Sequence, residues 1–226
     1  MNYSATIVIT VLIGASLSVL LAPRIIPVLR NLKVDQTIRE DGPKSHLSKT
    51  GTPTMGGIVF LISFILSSVL VGQLGTDSLI VIASTVAFSM VGFMDDYIKV
   101  VKKRNLGLRA YQKIIGQLLA SAIIIVYVVF VSKSSNAFFI PAIGKITISL
   151  GVMAIPFFLV VILGTVNAVN LTDGLDGLAT GVSIIVFIAF GVMNNILGNH
   201  ELAISAASLT GTLAGFLLFN YKPAKV

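Results

Sequence analysis

Asn167, Asn170, Asp173 and Asp176 recur at every third position of Asn167-Ala-Val-Asn-Leu-Thr-Asp-Gly-Leu-Asp-Gly177, at the end of a long apolar run. Residues three apart are neighbours on a helix, so the first three line one flank over about 9 Å of axis. Gly174 and Gly177 then interrupt the helix and bring Asp176 onto a turn or a new helix start. Amides and carboxylates in such a row suit a divalent cation together with hydroxyl or phosphate oxygens, because magnesium takes oxygen ligands and keeps waters for a substrate. The competing reading is that the asparagines join helices and the aspartates are ordinary loop residues.

A second acidic cluster, Asp95-Asp96, ends another apolar run in Phe93-Met-Asp-Asp-Tyr-Ile-Lys99. Adjacent helical residues point about 100° apart, so the two carboxylates are expected to have different partners. One would face a metal or phosphate and the other would pair with Lys99 or Lys113, which sets its charge state. The plainer alternative is a solvated helix terminus, although the macrodipole disfavours Asp at a carboxyl end. A third segment, Lys49-Thr-Gly-Thr-Pro-Thr-Met-Gly-Gly57, reads as a helix start in which Thr52 caps and Pro53 takes the first helical position. Such a start favours anions, with Lys44, His46 and Lys49 just upstream. It lacks the Gly-Lys-Ser/Thr ending of a Walker loop.

These clusters sit in a chain that is 55% hydrophobic and 11% charged, with a mean hydropathy of +0.98. Soluble domains carry about 25% charged residues, so the chain reads as an all-α polytopic membrane protein. About seven uncharged runs are long enough to cross the hydrocarbon: 5–29, 55–74, 78–94, 114–131, 150–168, 178–197 and 202–219. They make residues 1–226 a single transmembrane helical domain. The first run has basic residues behind it and none before it, the reverse of a secretory signal, and is retained as a helix.

Charge orients the bundle. With the amino terminus outside, loops 30–54, 95–113 and 169–177 and the tail are cytoplasmic, and all of the 16 Lys and Arg except Lys133 and Lys145 lie on that side. The acidic clusters fall on the same side. The external connection at 132–149 carries two short β-branched stretches around Gly144-Lys145 and reads as a small external β-hairpin. Glycines within the spans allow close helix packing. His46 and His200 fall on opposite sides and cannot share a zinc ion. The net charge of +7 fits attraction to anionic lipid headgroups, an acidic substrate, or both. Without a basic groove interleaved with aromatics, nucleic acid is not an expected partner. The absence of cysteine removes disulfides, thiolate catalysis and Cys-ligated metals.

Taken together, the run Lys49 to Gly57, the stretch Asp95-Asp96-Tyr-Ile-Lys99 and the segment Asn167 to Ala179 resemble the signatures of the bacterial phospho-N-acetylmuramoyl-pentapeptide transferase family. That family is a branch of the polyprenyl-phosphate N-acetylhexosamine-1-phosphate transferase superfamily. The likeness covers essentially all 226 residues in order and spacing. The aspartate pair and the Asn/Asp stripe are common to the superfamily, whereas Gly-Thr-Pro-Thr-Met-Gly-Gly points to the muramoyl branch.

The resemblance implies transfer of phospho-MurNAc-pentapeptide from UDP-MurNAc-pentapeptide to undecaprenyl phosphate, releasing UMP and making lipid I with Mg2+. It places the chain in the bacterial inner membrane with its active face cytoplasmic, and a homodimer is a candidate assembly. By the same resemblance Asp95 and Asp96 match the paired aspartates, one of which deprotonates or orients the lipid phosphate. Asp173 matches the stripe aspartate, with Asn167, Asn170 and Asp176 beside it near the uridine-diphosphate site, and Asp95, Asp96 and Asp173 are the candidate metal ligands. Lys49, Thr54, Lys99 and Lys113 match positions around the substrate phosphates. Direct attack and an aspartyl-phosphate intermediate are both compatible with adjacent carboxylates. Family members are expected to run to about ten spans, with a third acidic motif and a His-rich cytoplasmic loop beyond Val226. On that expectation the chain is a fragment with an incomplete metal site.

Two rival readings differ in class. A GlcNAc-1-phosphate transferase of the same superfamily would share the acidic clusters. A seven-helix transporter would be expected to place ionisable residues near the middle of its spans, and these spans have none there.

Overall fold

The computed structural model describes residues 3–31, 53–101, 107–132, 137–140 and 146–226. Among the described residues seven α-helices follow one another: α1 Tyr3–Asn31, α2 Gly57–Val71, α3 Thr76–Val101, α4 Ala110–Val126, α5 Ala154–Thr172, α6 Leu178–Ile196 and α7 His200–Asn220. All but α2 are long and apolar enough to cross a membrane, α4 together with the π-helical turn Tyr127–Val131 that continues it. At 15 residues α2 reaches about 22 Å, short of a hydrocarbon core of about 30 Å. It is shorter than the span expected at 55–74 because Gly72 turns left-handed at φ 71° and ends it, while its first helical residue is Gly57. The predicted cap at Thr52 lies outside the described residues. Pro53 precedes the helix rather than opening it, and the chain enters α2 through Met55 at φ 66°.

Between α4 and α5, β1 (Ala137–Ile140) and β2 (Ile146–Ser149) pair antiparallel, Phe138 opposite Ile148. Their connection, with Lys145, lies outside the described residues, as do Lys133, His46 and most of the expected loop 30–54.

Helix α7 is the most closely packed, lying against α6 and above all against α1, on which α2 also rests. Small residues bring backbones together there: a Cβ on Gly211 would lie 2.2 Å from the Val11 carbonyl oxygen, and one on Gly215 2.5 Å from that of Ala15. Ser18 Oγ donates to the Thr212 carbonyl at 2.7 Å across the same contact. Ala22, Ile26, Leu29, Val59 and Phe216 close the core at one end. At the other end Tyr3 stacks on His200 with ring centroids 3.8 Å apart, and the Tyr127 hydroxyl donates to Asp77. The starts of α1, α3 and α7 thus share one end of the bundle, and the acidic clusters of α3 and α5 lie at the opposite end.

Candidate active site

The aspartate pair is part of α3, not of the loop that follows it. The helix runs seven residues beyond the apolar run expected at 78–94, to Val101, because Asp95 and Asp96 stand four and three residues before Lys99 and pair with it along the helix surface. Lys99 also places a cation in the last turn, where it complements the helix dipole. Its Nζ lies 2.6 Å from Asp95 Oδ2 and 3.1 Å from Asp96 Oδ1. The expectation of separate partners therefore fails at this point: the flexible stem sets one ammonium between two carboxylates that diverge on the helix.

The two aspartates still differ. Asp95 also accepts the Leu108 N–H at Oδ1 (2.8 Å), and its side chain is 13% exposed against 34% for Asp96. Gly107 makes the Leu108 contact feasible. It adopts φ 62°, and a Cβ there would stand 2.5 Å from Asp95 Oδ1. Asp95 is thus tied to the segment leading into α4, while Asp96 is the more open carboxylate.

Helix α4 opens with the Arg109 N–H donating to Gln112 Oε1 at 2.9 Å, and carries Lys113 and Gln117 on one face. That face meets the stripe on α5. Lys113 Nζ donates to Asn170 Oδ1 at 2.9 Å. One turn further from the helix end, Asn167 Nδ2 donates to Gln117 Oε1 at 2.9 Å and Gln117 Nε2 donates back to Asn167 Oδ1 at 3.4 Å. Helix α5 reaches Thr172, so Asn167 and Asn170 are helical and Asp173 ends the helix at φ −77°, ψ 45°. Gly177 at φ 74° then starts α6. A side chain at Gly177 would also press on Leu217, its Cβ 3.1 Å from Leu217 Cδ1. Asp176, on the turn as the glycines imply, accepts the Ala224 N–H at 3.1 Å.

Thr54, Asp95, Asp96, Lys99, Lys113, Asn170, Asp173 and Asp176 all line one cavity of about 840 Å³. Asn167 lies deeper and engages Gln117. Lys49 lies outside the described residues. The walls come from the entry to α2, the ends of α3 and α5, the start of α4, the turn into α6, and the end of α7 with the residues that follow it. The cavity offers two ammonium groups for phosphate oxygens and several carboxylate and amide oxygens for a cation or hydroxyls, beside apolar lining such as Phe60, Phe93 and Phe216.

The three expected metal ligands are not assembled as a set. Among the described residues no three Asp, Glu or His side chains converge as a metal site. Both Asp95 oxygens are engaged, by Lys99 and by Leu108. Asp96, whose Oδ1 also pairs with Lys99, and Asp173 present carboxylate oxygens to the cavity wall, the ligand class magnesium takes.

Gln117 was missed from the sequence, as were Thr180, whose Oγ1 donates to Asn220 Oδ1 at 3.0 Å, and Asn220 itself. For Gln117 a signal exists, since it is a lone amide inside an apolar run, one turn after Lys113.

The segments that line this cavity fall within regions similar in sequence to known proteins. Residues 78–226 match the model of glycosyl transferase family 4, and residues 49–61 match phospho-N-acetylmuramoyl-pentapeptide-transferase signature 1. The chain is 44% identical over 223 residues to the phospho-N-acetylmuramoyl-pentapeptide-transferase of Geobacillus sp. strain WCH70, an alignment that covers 97% of the chain and 68% of that protein. The protein of the same description from Clostridioides difficile strain 630 is 42% identical over 96% of the chain and 67% of its own length. The one from Thermoanaerobacter sp. strain X514 is 45% identical over 97% and 69%.

Proposed function

The chain belongs to glycosyl transferase family 4 and, within it, to the phospho-N-acetylmuramoyl-pentapeptide transferases, and from that premise we propose that it makes lipid I. An oxygen of undecaprenyl phosphate attacks the sugar-bearing phosphorus of UDP-MurNAc-pentapeptide. A new P–O bond joins lipid and sugar phosphates, the bond to the UMP phosphate breaks, and UMP leaves with that electron pair.

What carries this reading is the meeting of separate sequence segments at one cavity near the helix ends. A water-soluble nucleotide sugar and a lipid phosphate can meet only at a membrane surface, and the cavity combines a polar wall with apolar lining there. Transfer of this kind rests on positioning and on offsetting phosphate charge. Lys113, set by Asn170, and Lys99, set by the aspartate pair, are the cations placed to do so. Asp96 and Asp173 are the carboxylates that would hold a magnesium ion, which when bound would offset charge on the phosphate oxygens. Thr54 and Asp176 border the same space, and Lys49 belongs to the proposed phosphate-binding set by its match to the family signature.

The proposed site faces the cytoplasm of a bacterial inner membrane, the side favoured by the distribution of basic residues. UMP release in membranes containing the chain, with UDP-MurNAc-pentapeptide and UDP-GlcNAc offered in parallel, tests the reaction. Release with the first alone is expected, and release with the second alone would reassign the chain within the superfamily. Sidedness is open to a direct check because the chain has no cysteine. A cysteine at Tyr111, which is exposed near the cavity end, should label only from the cytoplasm, and one at Asn199 only from outside. The reverse pattern would overturn the orientation.

A further inference from the structure

Helix α4 stands between the two acidic helices: α3 packs on one side of it and α5 on the other. Adjacent residues mark the two faces. Gly116 meets α3, where a Cβ would lie 3.1 Å from Val91 Cγ2, and Gln117 meets α5. The position of the Asn/Asp stripe relative to the aspartate pair is therefore set by how α5 is held to α4.

Apolar packing holds α5 only weakly, since Ala154, at its far end, is its one buried residue. Between membrane helices the hydrophobic effect supplies no net attraction, and close packing and hydrogen bonds decide the association. Gln117 is 1% exposed, and its amide closes a reciprocal pair with Asn167. Asn167 Nδ2 also reaches the Leu163 carbonyl at 2.8 Å, which fixes the orientation of its amide. One turn nearer the cavity, Lys113 and Asn170 form the next rung of the same ladder.

We infer that Gln117, which no part of the proposed reaction uses, is a positioning residue: its buried amide pair with Asn167 sets α5 on α4 and so places Asn170 and Asp173 against Lys113 and the aspartate pair. The inference rests on the proposed reaction for its kinetic consequence but not for its geometry. Gln117 borders the cavity with its amide turned to Asn167 and has no charge to offer a phosphate, so its effect passes through α5.

Two measurements test it. Gln117→Met keeps length and volume but removes the amide, and should lower kcat/KM for UDP-MurNAc-pentapeptide about tenfold per folded molecule, the scale of losing one or two buried hydrogen bonds between membrane helices. Exchanging the amides in Gln117→Asn with Asn167→Gln should restore much of the loss, since the pair is re-formed with one side chain shorter and the other longer. A role confined to stability would instead lower folded yield and leave kcat/KM per folded molecule unchanged. Independently of activity, a Lys113→Cys, Asn170→Cys pair in the otherwise cysteine-free chain should cross-link readily in membranes, and less so once Gln117→Met is added. Unchanged cross-linking in that background overturns the inference even if the chain transfers neither nucleotide sugar. Cross-linking that falls while wild-type transfer is absent would overturn the proposed reaction and leave the placement standing.

Discussion

The two halves of the bundle are held by opposite means. In the most apolar stretch of α7, 72% of residues are buried, against 6% for α5 and none for α6. Where α7 crosses α1, backbones approach through Gly14, Gly211 and Gly215, with hydroxyls such as Ser18 sealing the contact. Where α5 meets α4, the described contacts are polar, from Gln117–Asn167 to Lys113–Asn170. The difference separates scaffold from site. The α1–α7 contact uses steric fit, which tolerates no added volume. The α4–α5 contact uses hydrogen-bonding side chains at the cavity, which tolerate volume but not loss of a polar partner.

That contrast is broken most severely at Asp173. Asp173→Asn keeps the size of an exposed side chain at the end of α5 and removes its charge. Folding and membrane insertion should be unaffected, while turnover falls by about a hundredfold or more, the cost of one lost charge acting on the transition state. UMP release per folded molecule measures this. Near-normal turnover would remove Asp173 from the site and make the polar half a second scaffold.

At Gly211 the opposite result is expected. Gly211→Val would force a side chain into the Val11 carbonyl, backbone that cannot rotate away. Overpacking of this kind costs about 1–3 kcal/mol where neighbours can shift, and a backbone neighbour puts the cost at the upper end. Folded yield in detergent and resistance to thermal aggregation should collapse, and whatever protein remains folded should turn over normally. Retained stability would mean that α1 and α7 are not locked by their backbones.

Much of this contrast was legible in the sequence, and the exceptions have physical causes. The apolar runs set helices α1 to α7, since a lipid-spanning segment must be helical and uncharged. Gly211-x-x-x-Gly215 is the spacing that lets two helices touch. The site was legible as three segments, because carboxylates at helix ends are rare in so apolar a chain. Helix ends were less so: α3 and α5 run past their apolar stretches because ion pairs and amide pairs, which hydropathy does not register, support the last turns. The reach of Lys99 to both aspartates was hidden for a related reason. Helical angle describes where a Cβ points, whereas a lysine stem covers several ångströms beyond it. The pairing of Gln117 with Asn167 was out of reach because each amide is visible alone in its apolar run, but their meeting is not until the helices that carry them are side by side.

The smallest effect is expected on the open face of the polar half. Gly164, midway along α5, has no atom within 4 Å of where a Cβ would be. Gly164→Ala adds one methyl to that space and removes a residue that disfavours the helix by about 1 kcal/mol relative to Ala. Part of that gain is lost in a membrane, where unfolded helices stay helical, so the change in stability should stay within about 0.5 kcal/mol, with turnover unaltered. Reversible unfolding in mixed micelles, read by cysteine accessibility along α5, has the resolution to detect more. A loss well above that size would mean that α5 presses another surface at Gly164 in the membrane, and its placement would then not rest on the α4 ladder alone. A null result, set beside the collapse at Gly211, would leave the polar rungs as the means by which α5 keeps its register.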